Sequence, residues 1–185
     1  MRIGIDISQI AYEGTGVANY LSYLLDSIFS VDTENEYILF FSSFRRNIKS
    51  LPFGEGSLIQ NIDSRYKNVK IKRFRFTPFL LNLLWNKLHI IPIEYFIGDV
   101  DWFITSDWTE PPVKKAKKAT IIYDLVVYKN PNESDNKIVQ TQKSKLFWVK
   151  KESNIIFCIS ESTKNDIEEV LKIRNEKIKV IYPGI

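Results

Sequence analysis

Two glycines, Gly14 and Gly16, stand just before a run of residues with helical periodicity. Glycine lets the backbone approach a phosphate closely, and a helix N-terminus supplies amide donors and positive potential. With Thr15 and Asn19 the string nearly fits the dinucleotide fingerprint G-x-G-x-x-G, which needs its first glycine directly after a strand. Here six residues separate Ile7 from Gly14, and Asn19 occupies the third glycine position. Two interpretations of the segment remain open. It is a candidate phosphate-binding loop, but the spacing of its glycines is explained equally well by an ordinary loop that leads into a helix.

Polar groups also follow two later apolar runs. Tyr123 and Asp124 end one of them, where a carboxylate can accept a proton or orient a sugar hydroxyl, or can simply cap the following turn. Ser106, Asp107 and Trp108 follow the other, and an indole can stack on the apolar face of a sugar or serve as plain packing. Both segments are candidates for an acceptor cleft.

A third polar segment, Ser160, Glu161 and Ser162, follows a buried-looking run. Helix capping explains it better than ligand contact, although the cap amides would face the cleft side.

The single histidine, His89, lies near the end of an apolar helix, where packing or charge complementarity is favoured over catalysis. The single cysteine, Cys158, is expected to be a buried small hydrophobe. With one residue of each kind, zinc sites and Ser-His-Asp triads have little support, and we expect no metal.

These segments need a scaffold in which strands and helices alternate, and the periodicity predicts one. Predicted strands are 2–7, 37–42, 69–76, 102–105, 120–123, 155–159 and 177–182. Predicted helices are 17–29, 79–88, 135–151 and one ending near Leu171 with Ile167, Val170 and Leu171 inward. We therefore expect an α/β fold, a Rossmann-like doubly wound and mostly parallel sheet with helices on both faces. Ligands of such sheets bind beyond the carboxyl ends of the strands. Residues 54–61 and 129–134 are predicted to be surface loops.

Size and composition limit the class of protein. A chain of 185 residues is about one domain. The 44% hydrophobic content allows a full core, and the net charge of +4 is too small to indicate nucleic-acid binding. No secretory signal is predicted, because Asp6 interrupts the first apolar run, and no apolar stretch approaches the roughly 18 residues of a spanning helix. Two basic stretches favour solvated surfaces over bilayer contact: Lys70, Lys72, Arg73 and Arg75 beside aromatic residues, and Lys114, Lys115, Lys117 and Lys118. A cytoplasmic protein is expected, with peripheral contact to the inner membrane face left open.

Several segments, taken in order, resemble one family. The segments MRIGIDISQIAYEGTGVANYLSYLL, ENEYILFF, LLWNKLHIIP, ATIIYDLVVYKNP, IIFCISESTKNDIEEVL and KIKVIYPGI look like the N-terminal domain of the family 4 retaining glycosyltransferases. Each motif is moderately specific, and the resemblance runs over nearly the whole chain.

The resemblance implies one half of a GT-B fold, with an acceptor-binding N-terminal domain facing a C-terminal domain that binds a nucleotide-sugar donor. It implies transfer of a hexose from a UDP- or GDP-sugar, with retention and without metal or cofactor, to a glycan or a lipid-linked acceptor. Gly14 and Gly16 match the loop that approaches the donor phosphates, and Asp124 matches the strand-end aspartate. The family's preceding residue is often histidine, and here it is Tyr123, which places the usual donor geometry in question.

The resemblance covers residues 1–185 as a single N-terminal domain, without the donor-binding domain. We therefore expect an acceptor half that is inactive alone and needs a C-terminal GT-B domain in cis or in trans. Two alternatives stay open: a non-catalytic half-transferase that pairs with a separate donor-domain chain, and a different Rossmann-like enzyme such as a nicotinamide-dependent one. The long gap before Gly14 argues against the second.

Overall fold

The fold is a single parallel sheet covered by helices, seen in a computed structural model that describes residues 1–12, 14–44, 65–106 and 108–183. These residues form seven strands in the order β3-β2-β1-β4-β5-β6-β7, and every neighbouring pair is parallel. The strands are β1 (Arg2–Asp6), β2 (Glu36–Ser42), β3 (Val69–Phe74), β4 (Trp102–Thr105), β5 (Lys117–Ile122), β6 (Ile155–Cys158) and β7 (Ile178–Val180). The predicted Rossmann-like, doubly wound fold class is confirmed.

Helices follow β1, β3, β5 and β6, and β4 is joined to β5 by a segment without a helix in its described residues. The helices are α1 (Gly16–Val31), α2 (Pro78–Leu81), α3 (Glu94–Ile97), α4 (Val126–Lys129), α5 (Asn136–Glu152) and α6 (Glu161–Leu171). A π-helical segment, Asn82–Lys87, continues α2. A short 3-10 turn, Ser8–Ala11, follows β1 before α1 begins.

The hydrophobic core lies on both faces of the sheet because the central strands are apolar on both sides. On one face, Ile5 and Leu39 pack with Leu21 and Leu25 of α1. On the other face, Phe40 and Phe103 pack with Trp85 of the π-helical segment. A further cluster joins β5, β6 and β7 to α5 and α6.

Gly4 shows how closely one layer approaches the sheet. A Cβ atom built at this position would lie 2.7 Å from both the Ile97 side chain and the Phe103 ring. Such contacts are far inside van der Waals distance, so the glycine is needed for α3 to rest on β1 and β4.

Most predicted elements are confirmed, with strand ends shifted by at most two residues except at β5, which begins three residues earlier than predicted. The predicted interior residues of α6 are also confirmed, with Ile167 and Leu171 buried and Val170 packed beside them. The prediction of a solvated second basic run is wrong for Lys118, which is 1% exposed, because β5 begins at Lys117 and carries Lys118 into the interior. The predicted loop at residues 54–61 lies outside the described residues.

Candidate functional site

A cavity of about 590 Å³ opens at the carboxyl edge of the sheet. It lies beyond the ends of β1, β2 and β3, beside the point where the strand order reverses between β1 and β4. Such a switch point is where open α/β sheets bind ligands. The remaining walls come from α2 with its π-helical continuation and from the first turns of α5.

Exposure divides the cavity into a floor and a mouth. The floor holds Asp6, Gln9, Ser42, Leu81 and Thr109, all of which are buried. The mouth exposes Phe79 at 75%, Tyr12 at 41% and Ile138 at 40%, and it also carries the exposed polar side chains of Lys87, Lys137 and Gln140. The floor is therefore largely polar, and the mouth combines apolar and polar side chains.

Asp6 is the carboxylate of the floor. It ends β1 and is 2% exposed, and one of its oxygens accepts a hydrogen bond from the Ser8 amide at 2.9 Å. Burial raises the pKa of Asp6, while hydrogen bonds from Ser8 and the charge of Lys145 partly offset that rise. Lys145, on α5, is itself buried and donates to the Ser106 carbonyl. The floor thus keeps a strong hydrogen-bond acceptor in a place that disfavours its charge.

Gln9 is the amide of the floor. The 3-10 turn after β1 carries it into the interior, where the residue is 3% exposed. No hydrogen bond joins its side-chain amide to another described residue. The amide atoms are not among the buried side-chain atoms that lack a partner, so they reach the solvent of the cavity and are positioned to bind a group that enters it.

Two lysines, Lys87 and Lys137, border the cavity. Both are exposed, and neither forms an ion pair with another described residue. Trp108 adds an indole to the same wall. Aromatic rings next to polar groups are suited to polyhydroxylated ligands, which present apolar faces and hydroxyl edges.

The glycine loop stands at the same edge of the sheet. Gly14, Thr15, Gly16 and Asn19 are all exposed, and Gly14 has a φ of 75°, which favours glycine. Thr15 caps α1 by accepting from the Ala18 amide at 3.2 Å, and the first turn of α1 contains no acidic residue. Among the described residues of that turn, the amides and the helix dipole favour an anion.

The predicted strand-end pair divides into a buried and an exposed residue. The Tyr123 hydroxyl lies 2.9 Å from Ser106 Oγ, and its ring packs edge-on against Tyr20 at 5.6 Å. Asp124 is exposed, and its carboxylate accepts from the Val126 amide at 3.1 Å. The contact between Asp124 and the Val126 amide is the turn cap that was one of the two interpretations of Asp124. Tyr123 instead packs in the interior against Tyr20.

The Ser160 segment caps a helix and faces solvent. Ser160 Oγ accepts from the Thr163 amide at 3.1 Å, while Glu161 and Ser162 are exposed in the first turn of α6. Thr163 donates to the Tyr123 carbonyl at 3.1 Å and so ties α6 to the end of β5. The capping interpretation of this segment is confirmed.

The predicted site residues do not all meet in one place. Trp108 lines the cavity, Ser106 contacts Tyr123 beside it, and the predicted Asp107 lies outside the described residues. The floor residues Gln9, Ser42 and Thr109 were missed by sequence reasoning. The sequence did contain a signal for Asp6. It is a carboxylate at the end of an apolar strand, and such a residue is a candidate for the ligand-binding edge of the sheet.

His89 belongs to a separate, structural cluster. Its Nδ1 lies 2.7 Å from the Trp85 carbonyl, its Nε2 lies 2.9 Å from Glu152, and its ring stacks on Trp148 at 3.6 Å. The predicted packing role is therefore confirmed, as is the burial of Cys158.

Comparisons with known proteins found no match, neither to a family model nor to a curated protein. In the part of the chain that the structure describes, no helix is both long and apolar enough to cross a membrane. Across the same residues, no group of three or more His, Cys, Asp or Glu side chains could hold a metal ion.

Proposed function

We propose that this chain is the acceptor-binding half of a retaining GT-B glycosyltransferase, acting in the cytoplasm. The complete enzyme would move a hexose from a UDP- or GDP-sugar to a hydroxyl of the acceptor. The observation that carries the proposal is the cavity at the switch point, where a polar floor meets an aromatic wall. A sugar ring matches this combination, since hydroxyls can bind Asp6 and Gln9 while a ring face stacks on Trp108.

The glycine loop supports the donor side of the proposal. The exposed amides at the start of α1 are suited to the phosphates of a donor held mainly by a second domain. The 3-10 turn Ser8–Ala11 occupies the interval where a dinucleotide-binding fold has its tight glycine turn. This insertion argues against the nicotinamide-dependent alternative.

In this proposal the chain positions the acceptor, and Tyr123 and Asp124 border the space into which the transferred sugar would come. Leaving-group charge would be stabilised by amides and basic side chains already in place. Closure of a second domain over the carboxyl edge would exclude water.

The test is titration calorimetry of the purified chain with two sets of ligands. Methyl glycosides of common hexoses are expected to bind, and Trp108→Ala is expected to weaken that binding at least tenfold, about 1.4 kcal/mol. Tyr23→Ala is the matched control, because Tyr23 is an exposed aromatic residue on α1 that does not line the cavity. UDP, GDP and their hexose conjugates are expected to show no turnover with this chain alone.

Two results would contradict the proposal. Tight nucleotide-sugar binding with hydrolysis would mean that the chain is self-sufficient. Nicotinamide cofactor binding, read by cofactor fluorescence, would place the chain in another class of Rossmann-like proteins.

A further inference from the structure

Two lysines reach the mouth of the cavity from different elements. Lys87 ends the π-helical segment, and Lys137 is the second residue of α5. Both are exposed, beside the side-chain amide of Gln140. Neither lysine forms an ion pair with another described residue, and Asp6 on the buried floor is the one carboxylate among the described lining residues. The mouth therefore presents two positive charges that no carboxylate of the described lining neutralises there.

The winding of the π-helical segment explains why Lys87 lies at this cavity. Asn82 and Lys87 both line it, although they are five residues apart. In an α-helix, with about 3.6 residues per turn, that spacing would turn Lys87 roughly 140° away from Asn82. In a π-helix the hydrogen bonds join residues five apart, as the Leu88 amide does with the Leu83 carbonyl at 2.9 Å. The winding thus gives Lys87 a place in the cavity that a regular α-helix would not, and such segments are frequent at functional sites.

Lys137 occupies a place that is unfavourable for a cation. A helix N-terminus carries partial positive charge, so a lysine in the first turn opposes the helix dipole. The first turn of α5 contains no acidic residue, and its cap, Asp135, accepts a hydrogen bond from the Lys137 amide at 2.7 Å. An anion bound at the mouth would be favoured by both lysine side chains and by the dipole of α5.

The floor requires the other end of the ligand to be uncharged. The Asp6 carboxylate accepts hydrogen bonds when ionised and would repel a second anion placed beside it. Hydroxyl groups can donate to that carboxylate, and they can both donate to and accept from the Gln9 amide. A ligand that fills the cavity therefore places hydroxyls inward and its negative charge at the mouth.

We infer that this site takes an acidic sugar: a hexose whose hydroxyls bind Asp6 and Gln9 and whose carboxylate or phosphate binds Lys87 and Lys137. The inference rests on the proposed function and gives the acceptor a negative charge, which hexosyl transfer to a hydroxyl does not itself require.

The experiment compares each sugar with its own acidic forms. Methyl glycosides of glucose, galactose and mannose are titrated by calorimetry beside the matching methyl uronosides and 6-phosphates, with acetate and inorganic phosphate as anions without a sugar. We expect at least one acidic sugar to bind the 185-residue chain about tenfold or more tightly than its neutral counterpart and than the anion alone. This advantage should shrink as sodium chloride is raised from about 20 to about 500 mM, because salt screens exposed charges. The uronosides and the 6-phosphates together show which anionic group the lysines prefer.

Lysine variants test whether the mouth causes the preference. Lys87→Gln and Lys137→Gln are each expected to remove most of the difference in affinity between the acidic and the neutral form, whereas Lys137→Arg keeps the charge and should keep most of that difference. Lys150→Gln is the matched control, since Lys150 is an exposed lysine of α5 outside the cavity lining.

The inference is overturned if neutral and acidic sugars bind equally, if an anion alone binds as tightly as its sugar, or if Lys150→Gln reduces the preference as much as Lys87→Gln does. UDP or GDP binding more tightly than any acidic sugar would also overturn it, because the cavity would then be a nucleotide site. Equal binding of neutral and acidic sugars would leave the proposed acceptor role standing and remove only the acidic class. A preference for an acidic sugar together with nucleotide-sugar turnover by the chain alone would do the reverse.

Discussion

Asn86 and Gln9 are two buried amides with the same exposure, 3%, and opposite surroundings. Asn86, in the π-helical segment, donates to the Asn82 side chain at 2.9 Å and to the Trp108 carbonyl at 2.8 Å, and it accepts from the Glu110 amide at 2.9 Å. Gln9 makes no side-chain hydrogen bond to the described residues. Although the two residues are equally exposed, the Asn86 amide is paired within the fold, whereas the Gln9 amide reaches the solvent of the cavity, where a ligand can bind it.

The contrast extends to the charges of the two regions. Beside Asn86, a buried polar network joins Glu110, Lys118, Glu152 and His89 through contacts of 2.8–3.0 Å. On the cavity floor, burial raises the pKa of Asp6 in spite of the nearby Lys145 charge. In the network, charged groups stabilise one another, whereas on the floor a charge is kept at a cost in stability.

The largest expected effect comes from breaking the network at its centre. Lys118→Met removes the cation that lies 3.0 Å from Glu110 and 2.8 Å from Glu152, and it leaves a buried carboxylate unpaired. Removing one partner of a buried pair costs about 3–5 kcal/mol. Urea denaturation should show a loss of this size, whereas Lys117→Met, on the exposed neighbour in β5, should change stability by no more than about 0.5 kcal/mol.

A double variant tests whether the orphaned charge causes that loss. Lys118→Met combined with Glu110→Gln removes both charges of the most deeply buried pair, so part of the lost stability should return. If the double variant is no more stable than Lys118→Met, lost packing and not an uncompensated charge explains the effect.

The second prediction sets the two amides directly against each other. Asn86→Leu strips partners from the Glu110 amide and the Trp108 carbonyl, and each unpaired buried group costs about 1–3 kcal/mol, so we expect a loss of about 2–4 kcal/mol. Gln9→Leu removes no hydrogen bond to the described residues, and we expect its unfolding free energy to lie within about 0.5 kcal/mol of wild type. Equal losses in the two variants would mean that Gln9 is structural and the floor is not a binding surface.

The fold was predictable because its signals are local and repeated. β4 was predicted at its observed bounds, and β2 differs from its prediction by one residue, since near-continuous apolar runs are typical of strands buried on both faces. The burial of Lys118 was not predictable from composition. A lysine run resembles a solvated loop, and only the pairing of β5 with β4 and β6 brings Lys118 to Glu110 and Glu152.

The site was predictable only in part, because its members come from five distant segments. Trp108 was identified as a cleft aromatic, and it lines the cavity. Gln9 gave no signal, since a glutamine in a loop is ordinarily exposed, and the 3-10 turn that buries it has no clear sequence signature. Phe79 was predicted as the start of a helix, and its place at the mouth depends on how α2 packs over the sheet.

The third prediction reverses the sign of the first two. Burial raises the pKa of Asp6 in the folded state, so the fold favours the protonated carboxyl over the ionised one. The stability of the wild-type chain should therefore fall as the pH rises from the unfolded pKa of aspartate through the folded pKa of Asp6. Asp6→Asn should therefore stabilise the chain at pH 7, by an amount on the order of 0.5–2 kcal/mol as at other strained functional positions. The gain should fade below the unfolded pKa of aspartate, about 3.9, where both proteins are neutral at this position.

Ligand binding supplies the other half of that test. The same Asp6→Asn variant should bind methyl glycosides more weakly, because an amide cannot match a carboxylate as an acceptor for two hydroxyls. A variant that is less stable at pH 7, with unchanged glycoside affinity, would place Asp6 among the structural charges and undo the contrast between the two regions.

The smallest expected effect is the acid response of the network, opposite in sign to that of Asp6. Burial pushes the pKa of Glu152 up, but the hydrogen bonds and charges of Lys118 and His89 outweigh it, so the pKa lies below its usual value. A depressed carboxyl pKa contributes stability above the unfolded value, about 4.3, and that contribution is lost as pH falls through the folded value. Glu152→Gln should therefore differ from wild type by on the order of 1 kcal/mol at pH 7, and by less as the pH approaches 3.

Glu133→Gln, on an exposed 3-10 turn, is the control and should follow the wild-type curve. Urea midpoints of all three proteins between pH 3 and pH 7 check the difference. If Glu152→Gln loses stability by the same amount at every pH, the carboxylate acts through its shape and not through its charge. The network would then resemble Asn86, a set of geometric contacts, and Asp6 would be the clearer case of a charge whose ionisation affects stability.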